Sequence, residues 1–298
     1  MAIPEIVHSR TLDSDIEVLR SLKQCIDPSS IPRYSFLSTW NFNVDPCESN
    51  GGNFLGILCT IPLGNYTSRI TGIELDGVGY DGFLTPTIGN LTELTILNLS
   101  KNKFRGPLPG TIANLNSLKQ LSLSENVFTG ALPNGITSLM QLELIDVSHN
   151  KLTGSIPSTI IGLRRLLHLS LSNNAFSGRI PNLSALWRLQ IADLSINQFS
   201  GNLPNFPSNL RTLYLRNNKL SGAVTDDIFL LPELIHLNVS VNTFRALEVI
   251  EVSGRPTQLQ TFEAQQNNLH GHLPRYLVTY ENLTSINLQH NQISVTLL

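Results

Sequence analysis

The 298-residue chain has little charge: Asp, Glu, Lys and Arg together make up 14%, and the formal net charge is −2. An average globular sequence carries about a quarter charged residues. This near-neutral balance excludes the basic footprint that nucleic acid or an anionic lipid surface requires. Long apolar runs are also missing. Hydrophobic residues reach 41%, yet Pro, Gly or a polar residue interrupts every run before the roughly 18 residues of a membrane helix. Met1 to Arg10 lacks the basic start and apolar stretch of a secretory signal. Cysteine is scarce, and the three present (Cys25, Cys47, Cys59) are an odd number, so one is free or pairs with another chain.

Motifs for chemistry are absent too. The chain has no G-x-S-x-G elbow and no kinase glycine loop, H-R-D or D-F-G. Gly77-Val78-Gly79-Tyr80-Asp81-Gly82 matches G-x-G-x-x-G formally, but Phe83-Leu84-Thr85-Pro86 follows where a phosphate-binding turn needs a helix N-terminus. His270-Gly271-His272 offers two imidazoles without a third ligand, and reads as a solvated turn. The expectation is a non-enzyme with neither cofactor nor metal.

Two residues are in excess, Leu at 50 positions and Asn at 29. Both come from an internal repeat. Ile70, Leu94, Leu118, Leu142, Leu166, Leu189, Leu210, Leu234, Leu259 and Leu283 open ten units spaced 21 to 25 residues apart, each beginning apolar-x-x-apolar-x-apolar. Three positions later stands an Asn in nine of the ten: Asn102, Asn126, Asn150, Asn174, Asn197, Asn218, Asn242, Asn267 and Asn291, with Val78 in the first unit. The alternation in Leu97-Asn98-Leu99 has the period of a strand with one face inward. One such strand cannot bury itself, but stacked on its neighbours it becomes a rung of a parallel sheet, closed from behind by return segments carrying Leu115, Leu139 or Leu163. The Asn column is read as structural, because a side-chain amide offers both donor and acceptor where turning backbone loses its partners.

This periodicity is that of the leucine-rich repeat. Gly follows four residues after the Asn slot in eight of nine complete units (Gly82, Gly106, Gly130, Gly154, Gly178, Gly201, Gly222, Gly271), often with Ile/Leu-Pro behind it, as in Leu108-Pro109 and Ile156-Pro157. The resulting N-x-F/L-x-G-x-I/L-P resembles the plant-type extracellular subclass found in receptor-like proteins and receptor kinase ectodomains. The resemblance implies an α/β solenoid: a right-handed leucine-rich repeat superhelix with a parallel concave β-sheet, a second set of short strands after the Gly, and a helical N-terminal cap. Leu37-Ser38-Thr39-Trp40-Asn41, Cys47 and Phe54-Leu55-Gly56-Ile57-Leu58-Cys59 are similar to that cap, with Phe54 replacing its second Trp. By this resemblance Cys47 pairs with Cys59, and Cys25 is left as a small buried hydrophobe. Ser14-Asp15-Ile16-Glu17 reads as a capping box opening a helix with Ile16, Leu19, Leu22 and Ile26 on its apolar side. The expected organisation is a flexible tail over 1–11, the cap over 12–69, and about ten repeats over 70–298. Val295 and Leu298 fill the Gly and Pro slots of the last unit, so a closing cap is missing and a chain cut short is expected.

Six N-x-S/T acceptors occur. Asn98 and Asn238 fall between strand leucines, where a glycan would obstruct the sheet face; Asn65, Asn90, Asn182 and Asn282 are the glycosylation candidates. Together with the resemblance they imply an extracellular or cell-surface location. In each unit the third, fifth, seventh and eighth residues face the concave sheet. That face is short and polar in the middle units and becomes larger further on, with binding candidates Asp146, His168, Asp193, Tyr214, Arg216, His236 and Glu263. Tyr and Arg are enriched at binding hot spots, and Arg216 can hold a carboxylate bidentately. Some related receptors carry a concave R-x-R pair for a peptide carboxylate; here Tyr214 fills the first place. The eighth unit departs most, since Phe244 to Val252 has neither Gly nor Pro. The implied function is recognition of a protein or peptide ligand, with a co-receptor kinase as a further partner. The alternatives are a secreted inhibitor of cell-wall-degrading glycosidases similar to polygalacturonase-inhibiting proteins, and a structural scaffold.

Overall fold

The structure, a computed structural model, describes residues 10–48, 52–60, 67–248, 258–273, 277 and 280–294. The chain divides into two compact units, Met1–Leu142 and Glu143–Leu298.

The first unit opens with helix α1 (Asp13–Gln24), followed by 3₁₀ turns at Pro28–Ser30 and Phe36–Thr39. Strand Ile57–Cys59 pairs antiparallel with Ile70–Glu74. The repeat strands then run parallel in strict register, Gly72 beside Ile96 and Ile96 beside Gln120. A second parallel set comprises Asp81–Phe83, Lys103–Pro107 and Val127–Ala131. These begin right after the Asn slot and contain the repeat glycine, so they lie earlier than the resemblance implied. Each repeat proline ends this set: Pro109 and Pro133 stand at the N-caps of 3₁₀ turns Gly110–Asn114 and Asn134–Ser138, because proline fixes φ and cannot donate to a ladder. The returning leucines, such as Leu115 and Leu139, are fully buried. Each repeat thus closes a ring of apolar side chains; in one turn it is Leu94, Leu97, Leu99, Phe104, Ile112 and Leu115. Full burial of each such side chain contributes about 1.5–3 kcal/mol.

The cap corrects four sequence expectations. The helix starts at Asp13, with Leu12 at its N-cap and no capping side-chain hydrogen bond, so Ser14 is not the cap. Asp15 is instead fully buried, where its carboxylate receives Arg69 Nε at 2.9 Å and the Ile70 amide at 3.0 Å. That pairing ties the helix to the first repeat strand and takes Asp15 out of any capping role; the hydrogen bond to Asp15 also raises the Arg69 pKa. Val18, Leu19 and Leu22 form the buried face, while Ile16 is only half-buried. Thr11, assigned to the tail, is 1% exposed and bonds Asp45 through both its amide and its hydroxyl. Cys25 is a free thiol but only partly buried: it stands at the C-cap of α1, where Ile26 rather than Cys25 turns into the core. Cys47 and Cys59 are disulfide-bonded with Cα atoms 5.8 Å apart. Phe54 does the packing of the missing Trp, its ring 6.1 Å from that of Trp40.

In the second unit seven strands form one parallel sheet: Leu144–Asp146, His168–Ser170, Ile191–Asp193, Thr212–Tyr214, His236–Asn238, Thr261–Glu263 and Ser285–Asn287. Lys151–Gly154, Ala175–Gly178, Gln198–Gly201, Lys219–Thr225 and Thr243–Glu248 form the second set. The described return segments include the 3₁₀ turn Ser158–Gly162 and the short helix Asp226–Phe229, whereas 181–190 and 203–211 run as turns without helix. The irregular eighth unit forms the six-residue strand Thr243–Glu248 paired along Lys219–Thr225; its residues from 249 to 257 lie outside the described ones, as do Val295 and Leu298. No helix among the described residues is long and apolar enough to cross a membrane.

Both units share one turn chemistry. Asn126 Nδ2 donates to the carbonyls of Leu99, Leu123 and Ser124, while its Oδ1 accepts the Phe104 amide. Asn174, Asn197, Asn218, Asn242, Asn267 and Asn291 repeat this pattern on their own neighbours. Asn102 serves the first repeat, taking the amides of Gly79 and Tyr80, and Asn150 donates to Val147 and Ser148. Those two bonds of Asn150 stay within its own turn, whereas each of the other amides stitches its turn to the preceding one. The residue before each ladder Asn is left-handed, including the β-branched Ile196 (φ 53°) and Val241 (φ 55°).

Candidate functional site on the strand face

All seven binding candidates lie in the second unit. Strand register sorts the side chains of the non-core face into columns about 4.8 Å apart from strand to strand. One column runs His168, Ile191, Thr212, His236, Thr261; the next runs Asp146, Ser170, Asp193, Tyr214, Asn238, Glu263. A third position carries Ser148, Ser172, Ser195, Arg216, Ser240 and Gln265. In that lane of small hydroxyls Arg216 alone is long and cationic.

The structure brings some candidates together and separates others. Tyr214 is exposed and stands between Asp193 and Asn238, with Arg216 two residues on along the same face. No ion pair engages Arg216 among the described residues. Asp193 is turned partly inward to its own turn, where Oδ1 accepts the Ser195 amide at 3.0 Å and the Ser195 hydroxyl at 2.5 Å. Asp146 does the same with Ser148 at 3.0 and 2.6 Å, and it lies three strands from Tyr214. Both carboxylates brace the turn as well as facing outward. His236 Nδ1 and Thr261 Oγ1 are 2.9 Å apart, and Asn238 Nδ2 donates to Glu263 Oε2 at 2.8 Å. These four side chains form two separate cross-strand pairs on the strands that follow Tyr214, whereas His168 lies two strands away on the other side.

Sequence reasoning missed two members of the face. Ile191 and Ile196, both exposed, flank the Tyr214–Arg216 pair. Ile191 occupies the third-residue position already assigned to the face, so its signal was present. Ile196 occupies the eighth-residue position, likewise already assigned to the face, and the backbone adds only that it is left-handed. The centre of the face is therefore a phenol, a guanidinium, a carboxylate and two aliphatic side chains, a set that can bind an apolar residue beside an anionic group.

The acceptors sort by exposure. Asn90, Asn182 and Asn282 are exposed, and Asn182 Oδ1 accepts the Ser184 amide. Asn98 and Asn238 are half-buried with their side chains engaged; Asn65 lies outside the described residues. The G-x-G-x-x-G stretch leads into strand Asp81–Phe83 and a 3₁₀ turn at Pro86–Asn90. His270–His272 is an exposed strand paired with Gln292–Ser294.

Comparison with known proteins supplies the family. A model described as "Leucine-rich repeat region" matches residues 112–296, and one described as "Leucine Rich Repeat" matches 93–115. Pollen receptor-like kinase 4 of Arabidopsis thaliana is 36% identical over 76 residues, 24% of this chain and 10% of that kinase. The chain thus spans only a small part of the curated relatives it matches, which include both plant receptor-like kinases and receptor-like proteins. Among solved structures, the crystal structure of PEPR1-AtPEP1 has 29% identity and a TM-score of 0.76, covering 95% of this chain and 42% of that one. The "plant peptide hormone receptor RGFR1 in complex with RGF2" has 29% identity and a TM-score of 0.67, covering 72% and 35%. The resemblance to the plant receptor-like subclass is borne out by these relatives, and the solenoid expectation by these structures. With a family model spanning well over half its length and stacked parallel rungs that match it turn by turn, the chain belongs to the leucine-rich repeat family.

Proposed function

We propose that this chain is a non-catalytic, extracellular recognition module of a plant receptor-like protein, and that the strand face of its second unit binds a peptide. The observation that carries this reading is the break in the serine lane at Arg216, beside exposed Tyr214, Ile191 and Ile196. The likeness to a plant peptide hormone receptor supports it. Arg216 receives a carboxylate of the peptide and Tyr214 covers an apolar side chain. The rungs are rigid, so ordering costs on the receptor side are small. Further contacts come from His236 and Glu263 on one side and from Asp193, His168 and Asp146 on the other. A co-receptor kinase is the second partner of such a module, and Asn90, Asn182 and Asn282 are its glycan carriers.

The test is a random-sequence peptide library with free carboxyl termini, panned on the full chain. Selected peptides should lose at least tenfold in affinity against Arg216→Ala and against Tyr214→Ala. Affinities unchanged in both variants would remove this face from the function.

A further inference from the structure

The second unit carries another unusual surface, away from the strand columns, in the turns that lead into its second and third strands. Trp187 is 56% exposed, the most exposed tryptophan position in a chain with only two; the other, Trp40, is 2% exposed. Three and four residues before their strands stand Arg188 and Trp187 in one repeat, Arg165 and Arg164 in the repeat before it. The Arg188 guanidinium lies 5.8 Å from the Trp187 ring centre. Ile161, 41% exposed, adds an aliphatic side chain from the adjoining 3₁₀ turn.

No ion pair engages Arg164, Arg165 or Arg188 among the described residues. The next repeat offers a contrast, since there Arg211 finds Glu233 at 3.6 Å. Three uncompensated guanidinium groups on adjacent turns are unusual in a chain of net charge −2. The turns are also rigid. Leu186 and Leu189 on either side of Trp187 are fully buried, Leu189 N–H donates to Leu186 O at 2.8 Å, and Asn209 Nδ2 donates to the Trp187 carbonyl at 2.6 Å. The indole is thus held out with more than half of its surface open, its ring accompanied by the Arg188 guanidinium.

We propose that Trp187 and the arginines at 164, 165 and 188 form a second docking surface, for an acidic segment of a partner protein that places an apolar residue on the indole and carboxylates on the guanidinium groups. Trp and Arg are the residue types that dominate binding energy at protein interfaces, and Arg matches carboxylate geometry bidentately. Charge complementarity selects the partner: the surface has three cations and an apolar centre, so it rejects basic segments and rewards carboxylates flanking a hydrophobic side chain.

Trp187 reports on its own surface, because Trp40 is shielded. The probe is an acetylated and amidated peptide, Glu-Glu-Leu-Phe-Glu-Glu, titrated into the full chain while tryptophan emission and acrylamide quenching are followed. The expected result is a saturable blue shift with reduced quenching, weakened at least tenfold by high salt and by Arg165→Glu with Arg188→Glu. The milder Arg165→Gln with Arg188→Gln should weaken it severalfold with an unchanged unfolding midpoint. Tyr214→Ala with Arg216→Ala should leave this signal intact, which separates it from the strand-face site. The proposal is overturned if a lysine-for-glutamate peptide gives the same response, if no response occurs, or if the arginine variants bind as before. A response to polygalacturonate or heparin without one to the peptide would also overturn it and assign the surface to a polysaccharide.

Discussion

At the residue scale the ladder asparagines and the positions before them carry opposite consequences. Asn126 engages four backbone groups: Nδ2 shares its two hydrogens among three carbonyls, and Oδ1 accepts the Phe104 amide. Leaving a buried polar group unpaired costs about 1–3 kcal/mol. Asn126→Leu should therefore destabilise by at least about 3 kcal/mol in urea unfolding, and a loss under about 1 kcal/mol would contradict a structural role. Ile196 presents the converse. A β-branched residue at φ 53° resists its backbone conformation, a penalty of roughly 1–2 kcal/mol. Because its side chain is 41% exposed, little packing offsets that cost. Ile196→Asn should raise the unfolding free energy by about 1 kcal/mol; if the same variant also weakens peptide binding, the strained isoleucine is kept for the face.

The element that matters most for integrity is the cap of the first unit. Tyr80 is fully buried, donates to Asp76 Oδ1 at 2.5 Å and accepts the Leu37 amide at 3.2 Å, so it pins the 3₁₀ turn Phe36–Thr39 to the first repeat. Burial, then the bond to Asp76, pushes its pKa from 10.0 up to about 12. The folded state thus favours the neutral phenol. Its contribution is complete below pH 10, the unfolded value, and is lost as pH rises through about 12. Unfolding midpoints should fall across that window, and the fall should shrink in Tyr80→Phe, which titrates nothing at this site. Reduction of Cys47–Cys59 acts on the same element: a loop of this size restricts the unfolded chain by about 3 kcal/mol. A reductant should lower the midpoint correspondingly, whereas one that leaves it unmoved would show that the cap is held by Asp15–Arg69 and Tyr80 alone.

For the whole molecule, net charge is small and local pairs are few, so long-range steering of ligands is weak and recognition depends on where individual side chains stand. Much of that was legible in the chain. Period, strand face, inward leucines and Asn column follow from a 24-residue pattern, because each rung repeats the same short-range backbone conformation and alternation alone decides which side chain points in. Tyr214 and Arg216 were legible for the same reason. One failure of the sequence reading involved residues far apart in it: Asp15 looked like part of a capping box until Arg69 and Ile70 were seen to claim it. The other was local: Cys25 looked buried, but beyond the helix end at Gln24 it is Ile26 that turns inward.

The sequence by itself determined the family, the order of rungs and the identity of every outward column, since these depend only on periodic local structure. Tertiary structure decided which outward groups are engaged across strands, whereas the Asp146 and Asp193 bonds, two residues along the chain, are local. His236, Asn238, Thr261 and Glu263 bond across strands, while Arg216 and the guanidinium groups around Trp187 stay uncompensated. The reason is physical: an unpaired charge is defined by distances between side chains on neighbouring turns, some 20 residues apart in the chain, and no local pattern encodes them.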